Sequence, residues 1–246
     1  MIVYGLTDTG KRRERNEDCF FVSGASVGIF ERLFVLADGM GGHSYGEVAS
    51  TTAVQTVVSF LEHAPLDFPE SLFEEAVSLA NLEVQKKSDS KHANLMGTTL
   101  VIAGIINGMA YIANVGDSRC YLLNSIKGTI TQITKDHSYV EEMVRKGLME
   151  RGSDAYIRQK NIITRAIGTS AETYPDTFSL RLQHGDLLLL CSDGLSNMVE
   201  DNMIRDLALD EDFTIEQRVI SMIHTANDHG GRDNITVILA DTEGRS

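Results

Sequence analysis

The sequence predicts an α+β protein folded as a four-layer α-β-β-α sandwich, with two mainly antiparallel sheets flanked by helices. Three observations carry this expectation. Ten short β-rich segments recur along the 246 residues, mostly at hairpin spacing, which favours antiparallel pairing. Ten strands are many for one flat sheet, so two packed sheets are expected. Two long amphipathic segments stand between the third and fourth strands and suit the cover of an outer face.

Taken in order, Ile2–Asp8, Asp18–Ser23 and Arg32–Ala37 read as strands. A helix from about Ser44 to Glu62 places Val54, Val57, Val58 and Leu61 at i, i+3, i+4 and i+7, and Ser44-x-x-Glu47 is spaced as a capping box. A second helix from about Glu70 to Lys87 sets Phe73, Val77, Ala80 and Val84 on one face. Ala93 to Gly116 carries no charged residue and is long enough to resemble a membrane span. Asn107-Gly108, however, splits it into strands Thr98–Ile106 and Met109–Val115, and Asn-Gly is the strongest short hairpin signal. Strands Arg119–Leu123 and Gly128–Thr134 follow, then a helix Tyr139–Lys146. Met149–Arg165 has weak periodicity and reads as a mobile surface insertion. Strands Asp176–Leu182 and Asp186–Cys191, helices Met198–Leu207 and Ile215–Asn227, and strand Asn234–Ala240 complete the chain. No repeat or linker-like stretch divides it, so one domain over residues 1–246 is expected.

Composition narrows the function. A net charge of −13 argues against nucleic acid or an anionic membrane as partner. Cys19, Cys120 and Cys191 form no C-x-x-C motif and read as buried thiols in a reducing compartment. The first 25 residues carry "KRRERNED" and no apolar run, so a cytoplasmic location is expected.

The acids at strand ends are the informative feature. Asp38 ends "LFVLAD", Asp193 ends "DLLLLCSD" and Asp117 follows "AYIANVG"; Asp18 opens "DCFFV" and Asp233 opens "DNITVILA". In antiparallel sheets the end of one strand lies beside the start of its neighbour, so all five are placed to converge on one rim. Carboxylates so gathered need divalent cations, and oxygen ligation without a His or Cys cluster selects Mg²⁺ or Mn²⁺. The glycine-rich turn after Asp38 would otherwise suit a phosphate alone. With Asp38 at its mouth, the acid would hold a metal and the metal would hold the phosphate. Asp-Gly pairs also mark ordinary turns, but the conjunction of "LADGMGG", "VGDSR", "CSDGL", "NED" and "GGRDNITV" exceeds that reading.

With these segments in view, the chain resembles the metal-dependent protein phosphatase family (type 2C, PPM) in its compact bacterial form. "TDTGKRRERNEDCF", "VLADGMGGHSYGEVAS", "GTTLVIAGI", "AYIANVGDSRCYLL", "QITKDHSYVEEMV", "NIITRAIG", "LLLLCSDGLSNMV" and "GGRDNITVILA" occur in the family's order. The resemblance implies hydrolysis of phosphoserine and phosphothreonine in proteins by direct attack of a metal-activated water, opposing a cytoplasmic Ser/Thr kinase. It implies two core Mn²⁺ or Mg²⁺ ions bridged by Asp38, with the Gly39 carbonyl, Asp193 and Asp233 as ligands and Asp18 acting chiefly through metal-bound water. A third, weaker ion would involve Asp117. Arg13 lies where the family places a phosphate-binding Arg; Arg12 and Arg15 are the neighbouring registers. Met40 stands where many eukaryotic relatives have His, which leaves His43 as a general acid or water-ordering group, or as a helix-entry residue that merely hydrogen-bonds. The insertion around 148–166 matches the family's flap, although "AYIRQKN" departs from the His-Pro pair frequent there.

At single residues, His137 is expected to stabilise a loop, Cys191 to lie in the core and Ser192 to cap the turn after it. A monomer is expected. The competing reading is a phosphoprotein-binding or sensing module that kept the fold and lost turnover. A dinucleotide-binding protein is disfavoured because the third fingerprint glycine is missing.

Overall fold

The computed structural model describes residues 1–41, 45–91 and 96–242. The strands are β1 (Ile2–Asp8), β2 (Asp18–Val22), β3 (Arg32–Gly41), β4 (Met96–Thr98), β5 (Leu100–Ile106), β6 (Met109–Val115), β7 (Arg119–Asn124), β8 (Thr129–Gln132), β9 (Asp176–Arg181), β10 (Asp186–Cys191) and β11 (Ile235–Asp241). The helices are α1 (Tyr45–His63), α2 (Pro69–Lys91), α3 (Tyr139–Arg145), α4 (Asp154–Gln159), α5 (Asp193–Ser196), α6 (Asp201–Ala208) and α7 (Ile215–Asp228). One sheet runs β1-β11-β10-β7-β8. The other runs β2-β3-β5-β6-β9, with β4 paired to β3. Every ladder is antiparallel.

Three apolar layers hold four structural layers together. Phe34, Leu36, Ile112, Leu188, Leu190 and Ile238 fill the space between the sheets. Val35, Ile102, Val57, Leu61, Phe73 and Val77 join the six-stranded sheet to α1 and α2. Leu189, Val237, Leu239, Ile204, Val219 and Met222 join the other sheet to α6 and α7. Successive strand residues point to opposite faces, so Leu188 and Leu190 face the partner sheet while Leu189 and Cys191 face helices. A strand covered on both faces has no polar side, which is why "DLLLLC" is a continuous apolar run. The uncharged stretch before Gly116 has the same cause. Its two strands meet at Asn107-Gly108, both at positive φ (50° and 72°), with Ile106 opposite Met109.

Several expectations are corrected. The segment Thr98–Ile106 is two strands: β4 pairs with the end of β3, and Thr99 interrupts the run because it turns to the Asp38 backbone. β3 itself continues past Asp38 to Gly41. The insertion contains α4, capped by the Ser153 hydroxyl, which accepts from the Tyr156 N–H. Tyr156 and Arg151 both bond Glu141 of α3, which ties this segment to the body of the protein. The helix expected over Met198–Leu207 begins later, as α6 from Asp201 to Ala208, and the short α5 from Asp193 to Ser196 precedes it. Cys120 and Cys191 are buried as expected, but Cys19 is only half-buried. The proposed Ser44 cap lies outside the described residues. Among the described residues no helix is long and apolar enough to cross a membrane.

Phe30 and Phe73 stack with ring centroids 5.0 Å apart and are fully buried between β3 and α2. Phe73→Ala should therefore destabilise the protein by about 3–5 kcal/mol, the cost of an aromatic-sized core truncation. A fall in the urea midpoint at unchanged slope is the expected readout.

Candidate active site

The register of the sheets brings the acids together. Asp18 opens β2 directly opposite Asp38 on β3. Asp193 follows β10 and Asp233 precedes β11, and these two strands pair as neighbours in the other sheet. Asp117 sits two residues past β6, after Gly116 at φ 108°. Gly39 and Gly194 permit the close approach. A Cβ on Gly194 would lie 1.9 Å from the Asn234 carbonyl oxygen, and one on Gly39 would lie 2.2 Å from that of Gly46. Any side chain at either position would force the rim apart.

The electrostatics report the convergence. Burial raises the Asp38 carboxyl well above its usual range, reinforced by the charges of Asp18, Asp193, Asp117 and Asp233. Asp18 is pushed up to about 7, again mainly by burial and further by Asp193 and Asp233, against the hydrogen bonds it accepts. Asp193 is raised to about 6 by burial and Asp233, offset by a hydrogen bond with Asp38 and by Lys160 and Arg13. Asp117, 7% exposed, is raised by burial, then by Asp193 and Asp136, against the pull of Arg119.

The donor set fits hard divalent cations. Asp18 Oδ1 and Asp117 Oδ1 are buried oxygens with no hydrogen-bond partner, as an unfilled ligand atom would be. The surrounding acids are all oxygen donors, and only Arg13 and Lys160 temper Asp193 from the cationic side. Among the described residues, no three His, Cys, Asp or Glu side chains form a finished ligand cluster as they stand. Backbone carbonyl and water must therefore complete any coordination sphere.

Arg13 is at this rim, half-exposed, and its Nη2 donates to Asp233 Oδ2 at 2.7 Å. The hydrogen bond to Asp233 is the main reason its guanidinium pKa is raised. In the same loop Arg12 donates its backbone N–H to the Gly231 carbonyl, and the Arg15 carbonyl accepts from Asn234 Nδ2. His43 lies outside the described residues. His137 behaves as a loop residue: its Nδ1 accepts the Gly116 N–H at 3.1 Å and its backbone bonds Gly116 and Thr164. Ser192 occupies the N-cap position of α5 but makes no capping bond; its hydroxyl donates to Asp18 instead.

Sequence reasoning passed over four supporting residues. Thr99 Oγ1 accepts the Asp38 N–H at 2.9 Å, and Thr98 Oγ1 donates to the Asp38 carbonyl at 2.9 Å. Asn234 braces the Arg13 loop, donating to the carbonyls of Thr9 and Arg15 and accepting from the Glu17 N–H. Glu17 packs its carboxyl against Gly46, where burial raises its pKa against the pull of Arg13. All four lie inside the motifs "NED", "GTTLVIAGI" and "GGRDNITV", but no local pattern marked which partners they hold. A cleft of about 660 Å³ leads from Asp117 and Asp193 past Lys160 to Tyr156 of the insertion and Arg145 of α3.

The protein phosphatase 2C family model matches residues 10–240. The chain is 38% identical to the serine/threonine phosphatase stp of Listeria monocytogenes, covering 96% of this chain and 94% of that protein. The Streptococcus agalactiae serine/threonine phosphatase structure superposes with a TM-score of 0.89 at 33% identity, covering 97% and 98% of the two chains. The catalytic domain of the phosphatase PstP, solved with two manganese ions, superposes with a TM-score of 0.84 at 31% identity over 98% and 97%. With this match running almost end to end, and with the converging acids on its rim, the chain belongs to the protein phosphatase 2C family.

Proposed function

We propose that the protein is a metal-dependent protein serine/threonine phosphatase acting on phosphoserine and phosphothreonine, and that it reverses the work of a Ser/Thr kinase in the cytoplasm as a single-domain monomer. The observation that carries the reading is the set of mutually repelling, partly orphaned carboxylates on one rim. The family's phosphatase relatives and the manganese-bound neighbour support it.

Asp38, the Gly39 carbonyl, Asp193 and Asp233 would hold two Mn²⁺ or Mg²⁺ ions, with Asp18 orienting water and Asp117 serving a weaker third ion. Bound there, the ions would supply an acidified water and neutralise charge on the phosphoryl group during in-line displacement. The protein does the rest. Thr98 and Thr99 pin the Asp38 backbone, so its carboxyl keeps one position. Arg13 offers a planar, permanently charged donor set at the open edge, matched to two phosphoryl oxygens. Asn234 fixes the loop that carries it. His43 is the candidate proton source for the departing serine or threonine oxygen. The segment 148–166 walls the cleft beside the acids and would meet the substrate chain. A non-catalytic sensing role has no observation in its favour.

The direct test is hydrolysis of a phosphothreonine peptide with Mn²⁺ and with chelator. Chelation should abolish turnover and added Mn²⁺ should restore it; metal-independent turnover would refute the reading. Arg13→Ala should raise KM by about tenfold with kcat less affected, the mark of lost ground-state binding. An unchanged KM would move that role to Arg12 or Arg15. The raised carboxyls add a pH signature. In the metal-free fold burial pushes Asp18 up to about 7 and Asp193 up to about 6, well above the ordinary carboxylate range. The folded state thus binds more protons than the unfolded chain over this window, and their contribution to stability falls as pH rises through it. Metal must displace those protons. The Tm gap between Mn²⁺-loaded and chelated protein should accordingly widen from about pH 5.5 to about pH 8; a constant gap in calorimetry would contradict this.

A further inference from the structure

Asp18 is bonded in an asymmetric way. Its Oδ2 accepts two hydroxyl donors, Thr236 Oγ1 at 2.6 Å and Ser192 Oγ at 2.9 Å. Its Oδ1 is equally buried and accepts none. Both donors come from the opposite sheet, Thr236 on β11 and Ser192 at the end of β10.

Each hydroxyl is itself directed. The Ser192 oxygen accepts the Thr236 N–H at 2.9 Å, and of the two acceptors its proton faces, Asp18 is the nearer at 2.9 Å and the Asn234 carbonyl the farther at 3.4 Å. Thr236 Oγ1 lies 2.7 Å from Thr7 Oγ1, and Thr7 Oγ1 accepts from Asn16 Nδ2 at 2.8 Å. Since Thr236 gives its proton to Asp18, it must accept from Thr7. The donors then run one way, Asn16 to Thr7 to Thr236 to Asp18. Asn16 Oδ1 closes the ring by accepting the Asp18 N–H at 3.1 Å. Hydrogen bonds aligned head to tail strengthen one another in a buried site.

We infer that Thr236 and Ser192 are positioning residues for the metal centre. They commit one oxygen of Asp18 to the opposite sheet and leave Oδ1 as the single oxygen available to an ion or its water. The inference rests on the metal-dependent reading above. It adds that metal affinity is set in part by a clamp between the two sheets, made by residues that touch no ion. Groups that orient metal ligands typically cost 10–100-fold in affinity when removed.

The test is Mn²⁺ titration calorimetry on the full chain. Thr236→Val keeps the shape and deletes the hydroxyl; it should weaken Mn²⁺ binding by about tenfold or more. Ser192→Ala should do likewise, and Thr236→Ser, which keeps the hydroxyl, should restore near-native affinity. Native-like Mn²⁺ affinity in Thr236→Val overturns the inference. So does equal weakening in Thr236→Ser, which would trace the loss to the methyl group's packing. If Thr236→Val does not fold, Ser192→Ala decides: unchanged affinity there overturns it. Failure of the unaltered protein to take up Mn²⁺ would be a different result, removing the metal reading and this inference together.

Discussion

The structure depends on a repulsion that it must hold in check. Register places Asp18 opposite Asp38, and the strand ends bring Asp193, Asp233 and Asp117 into the same field. Two such charges ~4 Å apart repel by about 1 kcal/mol in water and about 4 kcal/mol at an effective dielectric of 20. The sandwich tolerates this because its two sheets are joined by an extensive apolar layer, whose leucines, isoleucines and phenylalanines are buried on both sheet faces. The rim is a small, electrostatically unfavourable margin on a large favourable core.

Around this margin the polar groups are arranged to keep the acids in place. Thr98 and Thr99 hold the Asp38 main chain, Asn197 donates to Asp193 at 2.8 Å, and Asn234 N–H is satisfied by Asp233 itself. Farther along the cleft, Arg119 forks onto Asp136 and reaches the Tyr121 hydroxyl, so this neighbouring acid is already neutralised. The contrast is chemical. Asp136 has a built-in guanidinium partner, whereas the rim acids chiefly face one another, tempered by Arg13 and Lys160 at Asp193 and by Arg119 at Asp117. Only the second group calls for an external positive charge. This division explains how a protein of net charge −13 can handle a phosphorylated substrate: attraction is supplied locally.

As a member of the protein phosphatase 2C family, the chain is a metal-dependent protein Ser/Thr phosphatase, and the layered architecture serves that activity by separation of roles. Helices seal the outer faces, the paired sheets set the spacing of the acids, and the irregular segments between strands carry Arg13, Asp117 and part of the cleft wall. The α4 segment, tied to α3 through Glu141, gives the cleft a defined wall.

Sequence by itself determined what consecutive residues can encode. Alternation and apolar runs marked nearly every strand, the Asn107-Gly108 turn set the β5–β6 hairpin, and helical spacing placed Phe73, Val77, Ala80 and Val84 on one buried face. Acids at strand ends, read with antiparallel pairing, located the rim. Tertiary structure alone decided which atoms meet there. Ser192 looked like a local cap, yet its partner Asp18 lies 174 residues away; Thr236 reaches the same oxygen across 218. Arg13 meets Asp233 across 220 residues, and Thr99 breaks a strand to serve Asp38. No local pattern carries such pairings, because they arise only when two sheets, each regular on its own, pack at one angle and offset. Periodicity is a property of neighbours along the chain, whereas hydrogen-bond partnership at this rim is a property of how distant strands dock.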